Sequence, residues 1–352
     1  MERLVRSCYK KMSGYAFAKK AGDIAREYGI DRVARLASNE NPEPLSPAAL
    51  KAAEEALRTV NRYPDERVNI LKNALRAHYG DYHFVTGVGM DGVIETIIRT
   101  LVEPGESVAV STPTFSFYAL AAMGQGARVI TVPREADFSV DPKKLIGAAK
   151  NAKITVLCSP NNPTGNATSP DIVRDVLEGI EGLLFLDNAY VEFSKTDYLP
   201  LMKKHENLVL GRTFSKVHSL AGLRIGYAFT PRWLPPWYQR AATPFTVNSV
   251  SMAAAAAALS DTAHAGRYIA QVRHWRKRFM DEVKYPVLPS DANFVMVDVT
   301  PQTGDAMVEE LARKGVAVRS CRSFTGLADH YIRVSVGEDW ENERFVQVIN
   351  SL

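Results

Sequence analysis

The chain has 352 residues, 46% apolar and 23% charged, a globular composition of two-domain length that argues against disorder, collagen-like repeats and a disulfide scaffold. With 43 Lys and Arg against 39 Asp and Glu, the net charge of +4 is small and spread along the chain, so there is no basic arm or stripe for nucleic acid. Cys8, Cys158 and Cys321 lack CxxC spacing and fit a reducing cytoplasm, and no stretch resembles a signal peptide or a membrane span of about 20 apolar residues.

In chain order, residues 1–40 contain a basic helical stretch at Phe17 to Tyr28 but no strand partner of their own, and are expected to pack with a smaller C-terminal domain. Residues 41–245 are expected to form a large α/β domain with a mostly parallel central sheet flanked by helices. Its strand candidates are Ser107 to Ser111, Ala127 to Val132, Ile154 to Cys158, Leu183 to Asp187, Leu208 to Leu210 and Ile225 to Phe229, with an amphipathic helix at Val93 to Leu101. After the Pro-rich stretch Thr230 to Pro236, residues 246–352 read as a small α+β domain. A long helical region spans about Ser249 to Val283, and strands follow at Ala292 to Val297, Val316 to Arg319 and Tyr331 to Val336.

Four segments carry chemistry. Gly87, Gly89 and Gly92 match G-x-G-x-x-G after a possible strand and before a helix, where backbone amides can hold a phosphate. A dinucleotide fold needs an acidic residue at the end of the next strand, and Ser111-Thr112-Pro113 stands there instead. Helix packing alone is the alternative for the glycines. Asn161-Asn162-Pro163-Thr164-Gly165 forms a rigid turn after a buried strand, able to present an amide to a ligand or merely to turn the chain. Asp187 ends an apolar strand, where its carboxylate needs a cation; a helix N-cap or structural ion pair would also satisfy it. Lys216 follows Thr213 and Ser215 and precedes Arg224 by eight residues. An amine shielded from water beside other cations suits Schiff-base chemistry, and the two hydroxyls and the guanidinium suit a phosphate. Together these groups supply what pyridoxal 5′-phosphate requires of a protein. A nicotinamide-dependent oxidoreductase and a non-catalytic ligand sensor remain alternatives.

At these residues the sequence resembles the fold-type I pyridoxal-phosphate-dependent aminotransferases of class I/II, and among them the histidinol-phosphate aminotransferases. The resembling segments run from Leu36-Ala37-Ser38-Asn39-Glu40-Asn41-Pro42 to Ile332-Arg333-Val334-Ser335. The resemblance implies that Lys216 is the Schiff-base lysine and proton shuttle, and that Asp187 is the partner of the pyridinium nitrogen. It implies that Asn162 and Tyr190 are donors to the phenolic oxygen, and that Phe115 stacks on the ring. The Met90 and Asp91 amides, Thr213, Ser215 and Arg224 would hold the phosphate. Tyr63 would reach the phosphate of a neighbouring subunit, implying a homodimer with shared sites. Arg333 would grip the α-carboxylate of the amino donor, with Asn39 beside the substrate. Arg319 and Tyr15 would take the substrate phosphate, Arg322 being a second basic candidate. Gly92 and Asn188 stand where Glu is common in the family. The implied reaction is ping-pong exchange between L-histidinol phosphate with 2-oxoglutarate and imidazole acetol phosphate with glutamate, without a metal. A threonine-phosphate decarboxylase or a broad aromatic aminotransferase would share the same fold.

Overall fold

A computed structural model describes residues 1–352. Its strands are β1 (Ala34–Arg35), β2 (His83–Val88), β3 (Ser107–Thr112), β4 (Arg128–Pro133), β5 (Ala152–Cys158), β6 (Leu183–Asp187), β7 (Leu208–Thr213), β8 (Ile225–Thr230), β9 (Phe294–Asp298), β10 (Val316–Ala317), β11 (Arg319–Ser320) and β12 (Tyr331–Ser335). The expected strands of the large sheet all form, some extended by a residue or more.

Seven strands make one sheet in the order β2-β8-β7-β6-β5-β3-β4. Only β8 runs against its neighbours; the other pairings among β7, β6, β5, β3 and β4 are parallel. Every residue of β3, β6, β7 and β8 is buried, which is why these segments read as near-continuous apolar runs rather than alternating ones: helices cover both faces. On one face the helix Gly89–Leu101 buries Val93, Ile94, Ile97 and Ile98 against Val108, Val110, Ile154 and Val156. On the other, Leu157, Leu184, Leu186 and Leu210 meet helices that include Pro47–Leu57, Asn69–Tyr79, Pro142–Ala149 and Pro170–Gly179. Three of these start on a Ser or Asp cap followed by proline. Ser46, Asp141 and Ser169 accept backbone N–H bonds from the first turn, and the proline occupies a position that needs no N–H.

Several expectations change, among them the helical stretch expected at Phe17 to Tyr28, which begins only at Ala21. The long helical region after residue 246 is two helices, Ser249–Ser260 and Thr262–Glu282, broken at Asp261, whose side chain accepts from the His264 amide. The first belongs to the large core, because Ala254, Ala255 and Ala258 let its backbone approach Ala49, Ala53, Leu71 and Leu75 closely. The second turns Tyr268, Val272, Trp275 and Phe279 onto the smaller core. A core-based boundary therefore falls near Asp261 rather than at 245. The segment 1–40 also divides. Ile24 and Val33 pack on Ala312 and Ala317, and β1 pairs with β10, as expected of the small unit. The first ten residues instead lie on the large unit, where Arg6 donates to the Gln125 carbonyl at 3.3 Å and Cys8 Sγ to that of Gly124 at 3.8 Å.

The small unit is built on the antiparallel sheet β11-β12-β9. The expected strand Val316 to Arg319 is split at Val318: β10 pairs with β1, and β11 with β12. That split turns Arg319 beside Arg333, its partner in register.

Candidate active site

The carboxyl ends of β3, β5, β6 and β7 face the small sheet across a cavity of about 400 Å³, the place where open parallel sheets leave room for ligands. Of the residues to which the resemblance gives a site role, all but Tyr63 and the second basic candidate Arg322 line it. Tyr63 is 83% exposed and stacks at 4.6 Å on Phe245, away from the cavity.

Asp187 is the last residue of β6 and is buried. Its Oδ2 accepts from the Tyr118 hydroxyl at 2.7 Å and its Oδ1 from the Ala189 amide at 2.9 Å. Burial raises its pKa from 3.8 to about 6, and these two donors oppose the rise. No cation pairs with it directly, so the carboxylate remains available to a cationic ligand atom in the cavity. Tyr118, which also lines the cavity, carries no signal in the sequence that would single it out. Its spacing from Phe115 is one helical turn, but nothing in the sequence shows that its hydroxyl reaches the end of β6.

Of the two asparagines after β5, one is structural. Asn161 accepts from Thr114 Oγ1 at 2.8 Å and donates to the Pro113 carbonyl and Thr164 Oγ1, which holds the turn rigid. Asn162 is thereby aimed into the cavity, where its Oδ1 accepts from Arg333 Nη1 at 2.6 Å. Asn188 is buried behind them, donating to the Ser159 carbonyl at 2.7 Å.

Lys216 lies in the turn between β7 and β8 with its Nζ open to the cavity, 3.5 Å from the Ser38 carbonyl and 5.6 Å from the centre of the Tyr190 ring. The crowded surroundings, and next the charge of Arg333, lower its pKa from 10.5 to about 8. At neutral pH about a tenth of the amine is then neutral, far more than for an ordinary lysine, and the neutral form is the one required of a nucleophilic amine. Tyr190 is buried, its hydroxyl accepting from Asn39 Nδ2 at 3.1 Å, and burial raises its pKa. It stays a protonated donor.

The glycine loop ends in the N-terminus of Gly89–Leu101, where Met90 and Asp91 meet Thr213, Ser215 and Arg224. Two glycines make this junction possible. Gly89 has φ +67°, and a Cβ there would sit 2.5 Å from Arg224 Nη2; a Cβ on Gly226 would meet the backbone of Gly89 at 2.5 Å. Arg224 Nη2 pairs with Asp91 Oδ2 at 2.8 Å, which holds the guanidinium beside the helix amides. Amides, hydroxyls and a guanidinium converging on one point form an anion cradle.

On the opposite wall, Arg333 of β12 donates to Asn162 and to the Ala37 carbonyl at 2.7 Å. Arg319 donates to the Ala16 carbonyl and to Ser323 Oγ, with its guanidinium 6.0 Å from the Tyr15 ring centre. Asn39 is locked by Ser335, which both accepts from its amide and donates to its Oδ1. Arg322 points away and pairs with Asp305 at 2.8 Å, so it does not join the set. No cluster of His, Cys, Asp and Glu suited to a metal is present.

The family model Aminotransferase class I and II matches residues 31–349. A histidinol-phosphate aminotransferase of Methanoculleus marisnigri is 65% identical over 352 residues, covering 100% of both chains. Another of that name, from Methanocorpusculum labreanum, is 56% identical, again with 100% of both covered. Among solved structures, the histidinol-phosphate aminotransferase of Sinorhizobium meliloti in complex with pyridoxal-5′-phosphate superposes with a TM-score of 0.88 at 27% identity, over 99% of this chain and 97% of that one.

Proposed function

Because the chain belongs to the class I and II aminotransferases, we propose that it exchanges the amino group of L-histidinol phosphate with 2-oxoglutarate, yielding imidazole acetol phosphate and glutamate, a step of histidine biosynthesis. The observation that carries the cofactor assignment is the meeting in one cavity of a Lys216 amine of lowered pKa, a buried Asp187 carboxylate without a direct cation and the anion cradle roofed by Gly89. A phosphorylated pyridine aldehyde fits all three: an aldehyde for the amine, a ring nitrogen for the carboxylate, a phosphate for the cradle.

When bound, pyridoxal 5′-phosphate supplies an aldehyde that condenses with amines and a protonated ring that withdraws electrons from the substrate Cα. Asp187 holds the proton on the ring nitrogen, and Tyr118 keeps its carboxylate oriented. Asn162 and Tyr190 donate toward the phenolic oxygen, and Phe115 covers the ring. Thr213, Ser215, Arg224 and the amides of Met90 and Asp91 bind the phosphate, whose charge suits the helix terminus. Lys216 Nζ, whose lowered pKa makes its neutral form more accessible, would take the proton from the substrate Cα and return it during transfer. Arg333 receives the α-carboxylate of glutamate or 2-oxoglutarate, with Asn39 beside it. Arg319 and Tyr15 receive the phosphate of the amino alcohol, so two oxyanion sites let one cavity serve two unlike amines.

The chain acts as a homodimer in this reading. Tyr63 is fully outside its own cavity and exposed, with Phe245, Leu57 and Val60 also exposed, which supports a partner that takes Tyr63 to its own phosphate site. No helix is long and apolar enough to cross a membrane, and all three cysteines are free; both support a cytoplasmic enzyme.

Purified protein should be yellow, and borohydride should bleach it and leave an adduct on Lys216 by mass analysis. Titration with histidinol phosphate should then remove the visible absorbance in the unreduced enzyme, and 2-oxoglutarate restore it. Response to phosphothreonine or aromatic amino acids alone would overturn the substrate assignment, and absence of the adduct would overturn the cofactor assignment.

A further inference from the structure

Residues 12–20 form a strap without helix or strand that crosses the mouth of the cavity. Three of them, Tyr15, Phe17 and Ala18, line it. The strap is pinned on both sides of Phe17. Arg319 donates to the Ala16 carbonyl, and Lys19 donates to the Tyr28 hydroxyl at 3.1 Å and pairs with Glu27 at 2.6 Å. Phe17 therefore has a defined position, yet its side chain is 81% exposed. Its ring meets Tyr15 edge-on at 5.0 Å and 70°, and Tyr15 meets Phe115 at 5.8 Å and 65°. Three aromatic rings thus descend from the rim to the residue proposed to cover the cofactor ring. The polar groups of the same cavity, Arg319, Arg333, Lys216 and Asn39, are suited to oxyanions and amines, whereas Phe17 at the rim supplies apolar aromatic surface.

We infer that Phe17 determines substrate specificity by covering the aromatic ring of the amine whose phosphate is held at Arg319, a contact that an acyclic dicarboxylate held at Arg333 does not make. The inference rests on the proposed transamination of histidinol phosphate. An exposed phenylalanine held at a site mouth leaves apolar surface in water, and a ring-bearing ligand removes it from water while an acyclic one does not. Edge or offset contact with an imidazole adds the geometric preference of aromatic pairs.

The test compares the two half-reactions in the wild-type holoenzyme, Phe17→Ser and Phe17→Leu. For Phe17→Ser, KM for histidinol phosphate should rise about tenfold, the lower end of discrimination by apolar contacts, while KM for glutamate stays at the wild-type value. Phe17→Leu should recover part of the loss. The exposed position lets both variants fold. Equal rises in the two KM values would overturn the inference by showing a general role of the strap, and no change in either would overturn it by showing that Phe17 touches neither amine. A wild-type enzyme that turns over glutamate but not histidinol phosphate would remove the functional reading itself, and the Phe17 contact with it.

Discussion

The Asp187 carboxylate couples stability to pH in a direction opposite to most acidic groups. Burial lifts its pKa from 3.8 to about 6, so over that interval the folded chain holds a proton that the unfolded chain has released. Its contribution to stability is therefore greatest below about pH 4 and falls as pH rises through about 6. The full penalty of the ionised form is roughly 3 kcal/mol. Urea midpoints of the cofactor-free protein should carry this decline between pH 4 and 6, and Asp187→Asn should remove it; an identical slope in both proteins would assign it to another group. Tyr118→Phe deletes the 2.7 Å bond to Oδ2 and leaves the buried carboxylate with one donor fewer, at a cost of about 1–3 kcal/mol. The loss should be full at pH 8, where Asp187 is ionised, and smaller at pH 4. A loss independent of pH would show that the hydroxyl bonds the protonated and the ionised carboxyl equally well, and no loss at any pH would show that the tyrosine stabilises by ring packing alone.

At the scale of elements, the junction of β8 with the helix Gly89–Leu101 depends on the absence of two Cβ atoms. Gly89→Ala places a methyl within 2.5 Å of Arg224 Nη2 in a backbone conformation that L residues avoid, so Arg224 must leave Asp91 and the helix terminus. Equilibrium titration should show pyridoxal 5′-phosphate binding weakened by tenfold or more, on the order of one lost charge-assisted contact. Binding of pyridoxal, which has no phosphate, should change much less. Equal weakening of both ligands would mean that the substitution disturbs the whole cavity rather than the anion cradle.

At the scale of the whole molecule, the proposed sharing of Tyr63 between subunits has a simple genetic signature. Lys216→Ala lacks the reactive amine, and Tyr63→Ala lacks the group offered to a neighbour. Dissociated and mixed, the two variants should regain activity, because one site of each mixed dimer combines an intact Lys216 with an intact Tyr63. Steady-state assays of the mixture against each variant alone measure this, and a mixture no more active than the average of the two would exclude shared sites.

Apolar runs, turn residues and local spacing made six strands of the large sheet, the glycine loop and the order Asp187, Lys216, Arg224 legible in the sequence, since each is written by neighbours within a few positions. The helix Ser249–Ser260 reads as part of the small unit because alanine carries no directional signal; its partners, about 200 residues earlier in Pro47–Leu57, appear only once the chain is folded. The same holds for Tyr118 beside Asp187, for Asn161 as the brace of Asn162, and for Phe17 at the rim. The chain itself determined which residues are able to do the chemistry. Tertiary packing decided which of them share a cavity, because contacts between distant segments depend on the crossing of whole elements and on side-chain volume, and neither is encoded in any short window of sequence.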